Sequence, residues 1–113
     1  MKQIKAVIRP EKLQDVLAAL EKIGCKGVTV TEIEGHGTQK GIVHQWRGEK
    51  YKLELVPKIM LDIVVKDSDV EKIKKAIIVT ARTGEVGDGK IFVYNVEEII
   101  RIRTGETDEN AID

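Results

Sequence analysis

A chain of 113 residues is enough for one domain with a real core, yet small enough that self-association would add much to its stability. Nineteen Lys and Arg balance nineteen Asp and Glu, which excludes a global basic field for holding DNA, RNA or anionic lipid, so any anion site is local. Cys25 stands alone, excluding an intrachain disulfide and a cysteine zinc cluster, and no apolar run approaches a signal or membrane-spanning segment; a cytoplasmic protein without direct membrane insertion is expected.

Lys2 to Arg9 alternates, with Ile4, Ala6 and Ile8 on one face and Lys5, Val7 and Arg9 on the other, which predicts a strand stopped by Pro10. From Pro10 the apolar set Leu13, Val16, Leu17, Leu20 and Ile23 recurs at helical spacing until Gly24. Val28 to Ile33 predicts a second strand, Lys58 to Val65 a third and Lys90 to Val96 a fourth. Between the last two, Val70, Ile73, Ala76 and Ile77 form the buried stripe of another helix, with Ser68 or Asp69 expected to cap it and its end expected before Gly84.

The order β-α-β-β-α-β predicts a single α+β domain over residues 1–113, a ferredoxin-like sandwich with an antiparallel sheet and both helices on one of its faces. Both parities of the later strands are apolar, with Met60 and Val64 behind Leu61 and Ile63, and Phe92 and Tyr94 behind Ile91 and Val93. One helical layer leaves one of those rows wet, so the second face is expected to be buried against other subunits. The interruption from about Gly35 to Leu55 is long for a structureless connection, and such segments are usually functional or disordered. Gly35, Gly37 and Gly41 loosen its base, while Tyr51, Leu53 and Leu55 alternate with Lys52 and Glu54; an extended hairpin with a tip at Arg47, Gly48 and Glu49 would suit a partner or ligand.

The segment 82–90, with Thr83-Gly84-Glu85-Val86-Gly87-Asp88-Gly89-Lys90 at its heart, is glycine-rich and ends in lysine as the last strand begins. Such a turn aims backbone amides at phosphate and adds a full positive charge, but its spacing is not that of a P-loop, whose lysine leads into a helix. A phosphate nest and a plain tight connection both remain open on spacing alone. Arg101 and Arg103 fall on one side of an extended segment, suited to forked phosphate contacts or equally to a solvated edge, and the acidic tail from Glu106 to Asp113 is expected to be mobile. His36 and His44 have no evident third ligand and receive no role.

Taken together, these segments resemble the PII nitrogen-regulatory signal-transduction proteins over nearly the whole chain. Thr83 to Val93, T-G-E-V-G-D-G-K-I-F-V, matches the family's C-terminal motif at every defined position, and Arg101-Ile102-Arg103-Thr104-Gly105-Glu106 continues it. The family's loop motif is matched only partly by Trp46-Arg47-Gly48-Glu49-Lys50-Tyr51, where the first aromatic and two middle positions depart. The resemblance implies a homotrimer with nucleotide sites between subunits, taking ATP or ADP competitively and 2-oxoglutarate beside Mg-ATP. It implies that Gly87, Asp88, Gly89 and Lys90 wrap the phosphates, that Arg101 and Arg103 reach them across the interface, and that Thr29 and Val64 lie at the adenine end. At the loop base Gly35, Gly37 and Thr38 would border the nucleotide, and Gln39 would ligate Mg²⁺. By the same resemblance Gln39, Lys40, Gly41 and Lys58 would surround 2-oxoglutarate, with Lys58 on its distal carboxylate. Thr38 stands where the family usually has arginine, which removes or replaces one phosphate contact.

The implied output is regulation of an ammonium transporter, with nitrogen-metabolism enzymes as further implied partners, by the long loop at 35–55. Arg47 resembles the residue that enters the transporter's cytoplasmic exit, and Tyr51 the tyrosine that many bacteria uridylylate. Two other classes are weighed against a non-enzymatic sensor. A small phosphoryl-transfer enzyme would use Lys90 and the arginines for charge stabilisation, but no nucleophile and base pair is evident beside the turn. An RNA-binding domain is faintly suggested by Gly89 to Tyr94, yet aromatics make up 4% of the chain, the first strand has no stacking ring and net charge is zero, so no nucleic-acid partner is expected.

Overall fold

The computed structural model of the chain describes residues 1–36, 44–46, 49–51 and 55–112, with side chains described outside residues 36–54. Strand β1 (Lys2–Ile8) leads through a 3₁₀ turn at Pro10–Lys12 into helix α1 (Leu13–Lys22), and β2 (Thr29–His36) follows. The short strands β3 (His44–Trp46) and β4 (Glu49–Tyr51) come next, then β5 (Leu55–Val65), α2 (Val70–Ala81) and β6 (Lys90–Asn95). The main sheet is antiparallel in the order β2-β5-β1-β6, with β1 and β5 central. With β3 and β4 set aside, this is the β-α-β-β-α-β ferredoxin-like sandwich expected from the sequence.

Strand alternation builds the core directly. Ile4, Ala6 and Ile8 of β1 and Ile59, Leu61, Ile63 and Val65 of β5 point to one side of the sheet and are buried there by Val16 and Leu20 of α1 and Ile73, Ile77 and Ala81 of α2. Helix α1 begins three residues after Pro10, whose fixed φ first forms the 3₁₀ turn. Its end is a Schellman motif: Gly24 takes a φ of 87°, its N–H donates to Glu21 O, and Cys25 N–H donates to Leu20 O. The cap expected for α2 is not formed. Ser68 and Asp69 lie in a 3₁₀ turn at Asp67–Asp69, and Asp69, with helical φ and ψ of −97° and −9°, makes no side-chain capping bond.

Two strands are longer than their sequence signals. Gly35, expected at the base of the loop, belongs to β2 and pairs with Val56, and β5 begins at Leu55 and runs through Pro57. Pro57 is tolerated for a positional reason: β1's pairing with β5 stops at Ile8 and Ile59, so Pro57 lies where, among the described residues, β5 has β2 as its only neighbour in the sheet. Within the long connection β3 and β4 form an antiparallel pair, with Trp46 opposite Glu49, in keeping with the hairpin expected there.

The C-terminus also differs from its expectation. Residues 102–104 form a turn instead of an extended segment, Ile100 bridges to Thr107, and Asp108–Ala111 form a 3₁₀ turn. Gly105, with φ of 74°, and the reciprocal bonds between Thr104 and Glu106 account for the reversal. Among the described residues no helix is long and apolar enough to cross a membrane.

The sheet's other face has no layer over it within the described residues. Phe92 and Tyr94 are 41% and 45% exposed. By alternation and register Val7, Ile33, Met60 and Val64 share that face with Thr29, Lys5, Asp62 and Lys90. Leu61→Ala, which empties a fully buried position in a central strand, is expected to lower unfolding free energy by about 2–5 kcal/mol in chemical denaturation, whereas Val79→Ala on the exposed side of α2 changes it by less than about 0.5 kcal/mol.

Candidate functional site

The connection from α2 to β6 is a turn organised around one carboxylate. Asp88 accepts hydrogen bonds from the N–H of Thr83 at 2.9 Å, the N–H of Gly84 at 2.8 Å, the Thr83 hydroxyl, and Arg9 Nε at 2.9 Å. The Thr83 hydroxyl, the Arg9 guanidinium and the two backbone amides hold this carboxyl well below the usual carboxylate range. Thr83 Oγ1 also accepts from the N–H of Glu85 at 3.1 Å, so the first half of the turn is closed by side-chain oxygens.

The second half is shaped by cations and glycines. Arg9 Nη2 donates to Val86 O at 2.9 Å, and Lys58 Nζ donates to Gly87 O. Gly84, Gly87 and Gly89 take φ of 89°, 103° and 100°, in the left-handed region that glycine permits. At Gly89 the requirement is also one of space, because a Cβ there would stand 1.7 Å from Val7 O, inside the backbone of β1. The turn is thereby pressed against the end of β1 while the N–H of Gly87 has no acceptor among the described residues. Beside it opens a groove of about 300 Å³ with apolar walls from Ile77, Ile78, Ala81 and Ile91 and charged lining from Arg82, Lys90 and Asp88. An amide without an acceptor among the described residues, local cations and close backbone approach together suit an anion such as phosphate.

The expected site residues fall into separate groups. Gly87, Asp88, Gly89, Lys90 and Lys58 are together at the turn, although the Asp88 side chain is spent on holding the turn and only its backbone faces outward chemistry. Thr29 and Val64 lie toward the other end of the sheet, six positions along β5 in the case of Val64, or about 20 Å from Lys58 at strand rise. Arg101 pairs with Glu106 at 2.8 Å, and Arg103 is exposed on the turn at 102–104. Gly35 lies within β2 beside Lys58, where a Cβ would stand 3.4 Å from Lys58 Cγ. Gly37, Thr38, Gln39, Lys40, Gly41 and Arg47 lie outside the described residues, as does the side chain of Tyr51.

Sequence reasoning missed Arg9 and Thr83 as parts of this site. Thr83 was within reach, since a hydroxyl residue opening a glycine-rich turn is a ready cap for it. Arg9 was not, because it meets Asp88 across 79 positions of sequence and only the β1 pairing brings them together.

An antiparallel sheet with both helices on one side and a glycine-rich turn at one end defines a small α+β domain of ferredoxin-like topology. The profile of the nitrogen regulatory protein P-II family matches residues 1–106, and the chain belongs to that family. It is 51% identical over 112 residues to nitrogen regulatory protein P-II 2 of Methanothermobacter thermautotrophicus, covering 99% of this chain and 97% of the relative. It is 53% identical to nitrogen regulatory protein P-II of Haemophilus influenzae and 51% identical to nitrogen regulatory protein P-II 1 of Escherichia coli K12, each match covering 99% of this chain and 100% of the relative. These relatives are named as regulators, and the chain is a nitrogen-signalling protein and not an enzyme.

Two outcomes check the turn. Gly89→Ala, which must displace backbone, is expected to lower the denaturation midpoint clearly more than Gly84→Ala, where a Cβ meets nothing within 4 Å and only the φ strain of about 1–2 kcal/mol remains. Because the folded Asp88 carboxyl titrates below its unfolded value, its contribution is complete above that unfolded value and is lost only as pH falls through the lower folded one. The Thr83 and Gly84 amide resonances should therefore hold their positions from pH 7 down to about pH 4.

Proposed function

We propose that this regulator senses adenine nucleotide, ATP or ADP, and with Mg-ATP also 2-oxoglutarate, and that it reports by changing the posture of its long loop. The observation that carries this reading is the glycine-rich turn, whose carbonyls at Val86 and Gly87 are taken by Arg9 and Lys58, leaving amide hydrogens and Lys90 for polyphosphate. Family membership supports the same assignment. In this scheme the amides of Gly87, Asp88 and Gly89 cradle the phosphates and Lys90 neutralises them.

Thr29 and Val64 then contact adenine from a neighbouring subunit, because Val64 lies about 20 Å along the strand from Lys58 at the turn, and Thr29, opposite Asp62, about 13 Å. The uncovered sheet face, with Met60, Val64, Phe92 and Tyr94, supports a homotrimer closed around it, and Arg101 and Arg103 reach the phosphates across the same boundary. The Gln39 side-chain oxygen, a hard donor, would hold a Mg²⁺ ion, which would supply Lewis-acid charge neutralisation there. Lys58 stands at the border of the phosphate turn and the loop base, where it serves the distal carboxylate of 2-oxoglutarate. Gly35, Gly37, Thr38, Lys40 and Gly41 complete that base, so nucleotide and effector bias the loop carrying Arg47 and Tyr51. An ammonium transporter on the cytoplasmic side is the partner proposed for Arg47, and Tyr51 is the proposed modification site.

Calorimetric titration of 2-oxoglutarate into protein alone, with ATP, with Mg-ATP and with ADP tests the scheme. Heat is expected with Mg-ATP only, and equal binding in all four cells would remove the metal bridge. Titration of ATP and of ADP themselves tests the sensor, which a lack of heat from both would remove. Lys90→Ala should weaken ATP by about tenfold or more, the effect of losing a hydrogen bond to a charged group.

A further inference from the structure

We infer that Arg9 is a positioning residue that aims the glycine-rich turn at its anion, an assignment that rests on the nucleotide reading above. Arg9 precedes Pro10 and takes the extended backbone usual before proline, with φ of −66° and ψ of 139°, directly at the end of β1. Its guanidinium is 20% exposed and makes a forked contact: Nε donates to Asp88 Oδ1 and Nη2 donates to Val86 O, both at 2.9 Å. Nη1 lies 4.0 Å from Glu11 Oε1, so a carboxylate on the far side keeps the group in place.

The fork fixes the orientation of one peptide plane. In a trans peptide, such as the one joining Val86 to Gly87, the C=O and N–H point opposite ways. With Val86 O turned toward Arg9, the N–H of Gly87 faces away from it and has no acceptor among the described residues. The other prong holds Asp88, whose carboxylate gathers the amides of Thr83 and Gly84 and so sets the first half of the turn. One side chain from the end of β1 therefore fixes both halves, and only a planar fork reaches a carboxylate and a carbonyl at once; lysine carries the charge without that geometry.

The test pairs a ligand-free readout with a binding readout. In nucleotide-free protein, Arg9→Met and Arg9→Lys are both expected to speed hydrogen exchange at the Gly84 amide and to shift the Gly87 amide resonance; an unchanged turn in both variants would overturn the inference. In calorimetry both variants are expected to lose about tenfold in ATP affinity, with Arg9→Lys not restoring it. Combining Arg9→Met with Asp88→Asn should cost less than the sum of the two changes, because they share the Arg9–Asp88 contact. Additive losses, or full rescue by Arg9→Lys, would mean that Arg9 acts by charge alone and would also overturn it. If the wild-type protein binds no adenine nucleotide the nucleotide reading fails, and the exchange data still decide whether Arg9 holds the turn.

Discussion

The pairing of β1 on both of its edges is the constraint from which the rest follows. Through Ile8 opposite Ile59 on one side and Val7 opposite Lys90 on the other, it carries Arg9 to the meeting point of Lys58 and the glycine-rich turn. The same strand supplies Ile4, Ala6 and Ile8 to the core, so the burial that stabilises the domain also sets the register that assembles the site. A one-residue slip of β1 would turn its core residues outward and move Arg9 off Asp88 together.

The turn gains definition by committing most of its polar groups to one another. Asp88 satisfies amides that would otherwise lack partners after α2 ends, and the positive φ of Gly87 and Gly89 lets the chain reverse while touching β1. The Gly87 N–H has no acceptor among the described residues. Because an electrostatic site on a chain of zero net charge cannot draw on a general positive field, local orientation has to do what bulk charge does elsewhere.

The sheet's two faces divide labour. One is sealed by helices over an apolar core, while the other mixes Phe92, Tyr94, Met60 and Val64 with Lys5, Asp62 and Gln3. On that second face Gln3 Nε2 donates to Asp62 Oδ1 at 3.0 Å and Lys5 Nζ sits 5.6 Å from the Tyr94 ring centroid, so Asp62 and Lys5 already have partners inside the chain. A face with apolar patches and such partnered charges is well suited to lie against another protein surface.

Much of this was legible in the sequence because the signals were local. Alternation in Lys2 to Arg9 and the helical stripes ending at Gly24 and before Gly84 specify elements within a few residues, and the glycines of the segment 82–90 announce a turn that needs positive φ. What local pattern could not supply was set by neighbours. Gly35 reads as the base of the loop yet sits in β2, and β5 begins at Leu55 ahead of the expected Lys58, because β2 and β5 pair where β1 has ended, and Ser68 and Asp69 read as caps yet fold into a 3₁₀ turn. Arg101 and Arg103 read as one face of an extended segment until Gly105 and Glu106 reverse it. The sequence alone determined which residues are chemically able to hold an anion; only the tertiary structure decided that Arg9 is among those that shape the site, because contacts across 79 positions are written in strand pairing and not in spacing.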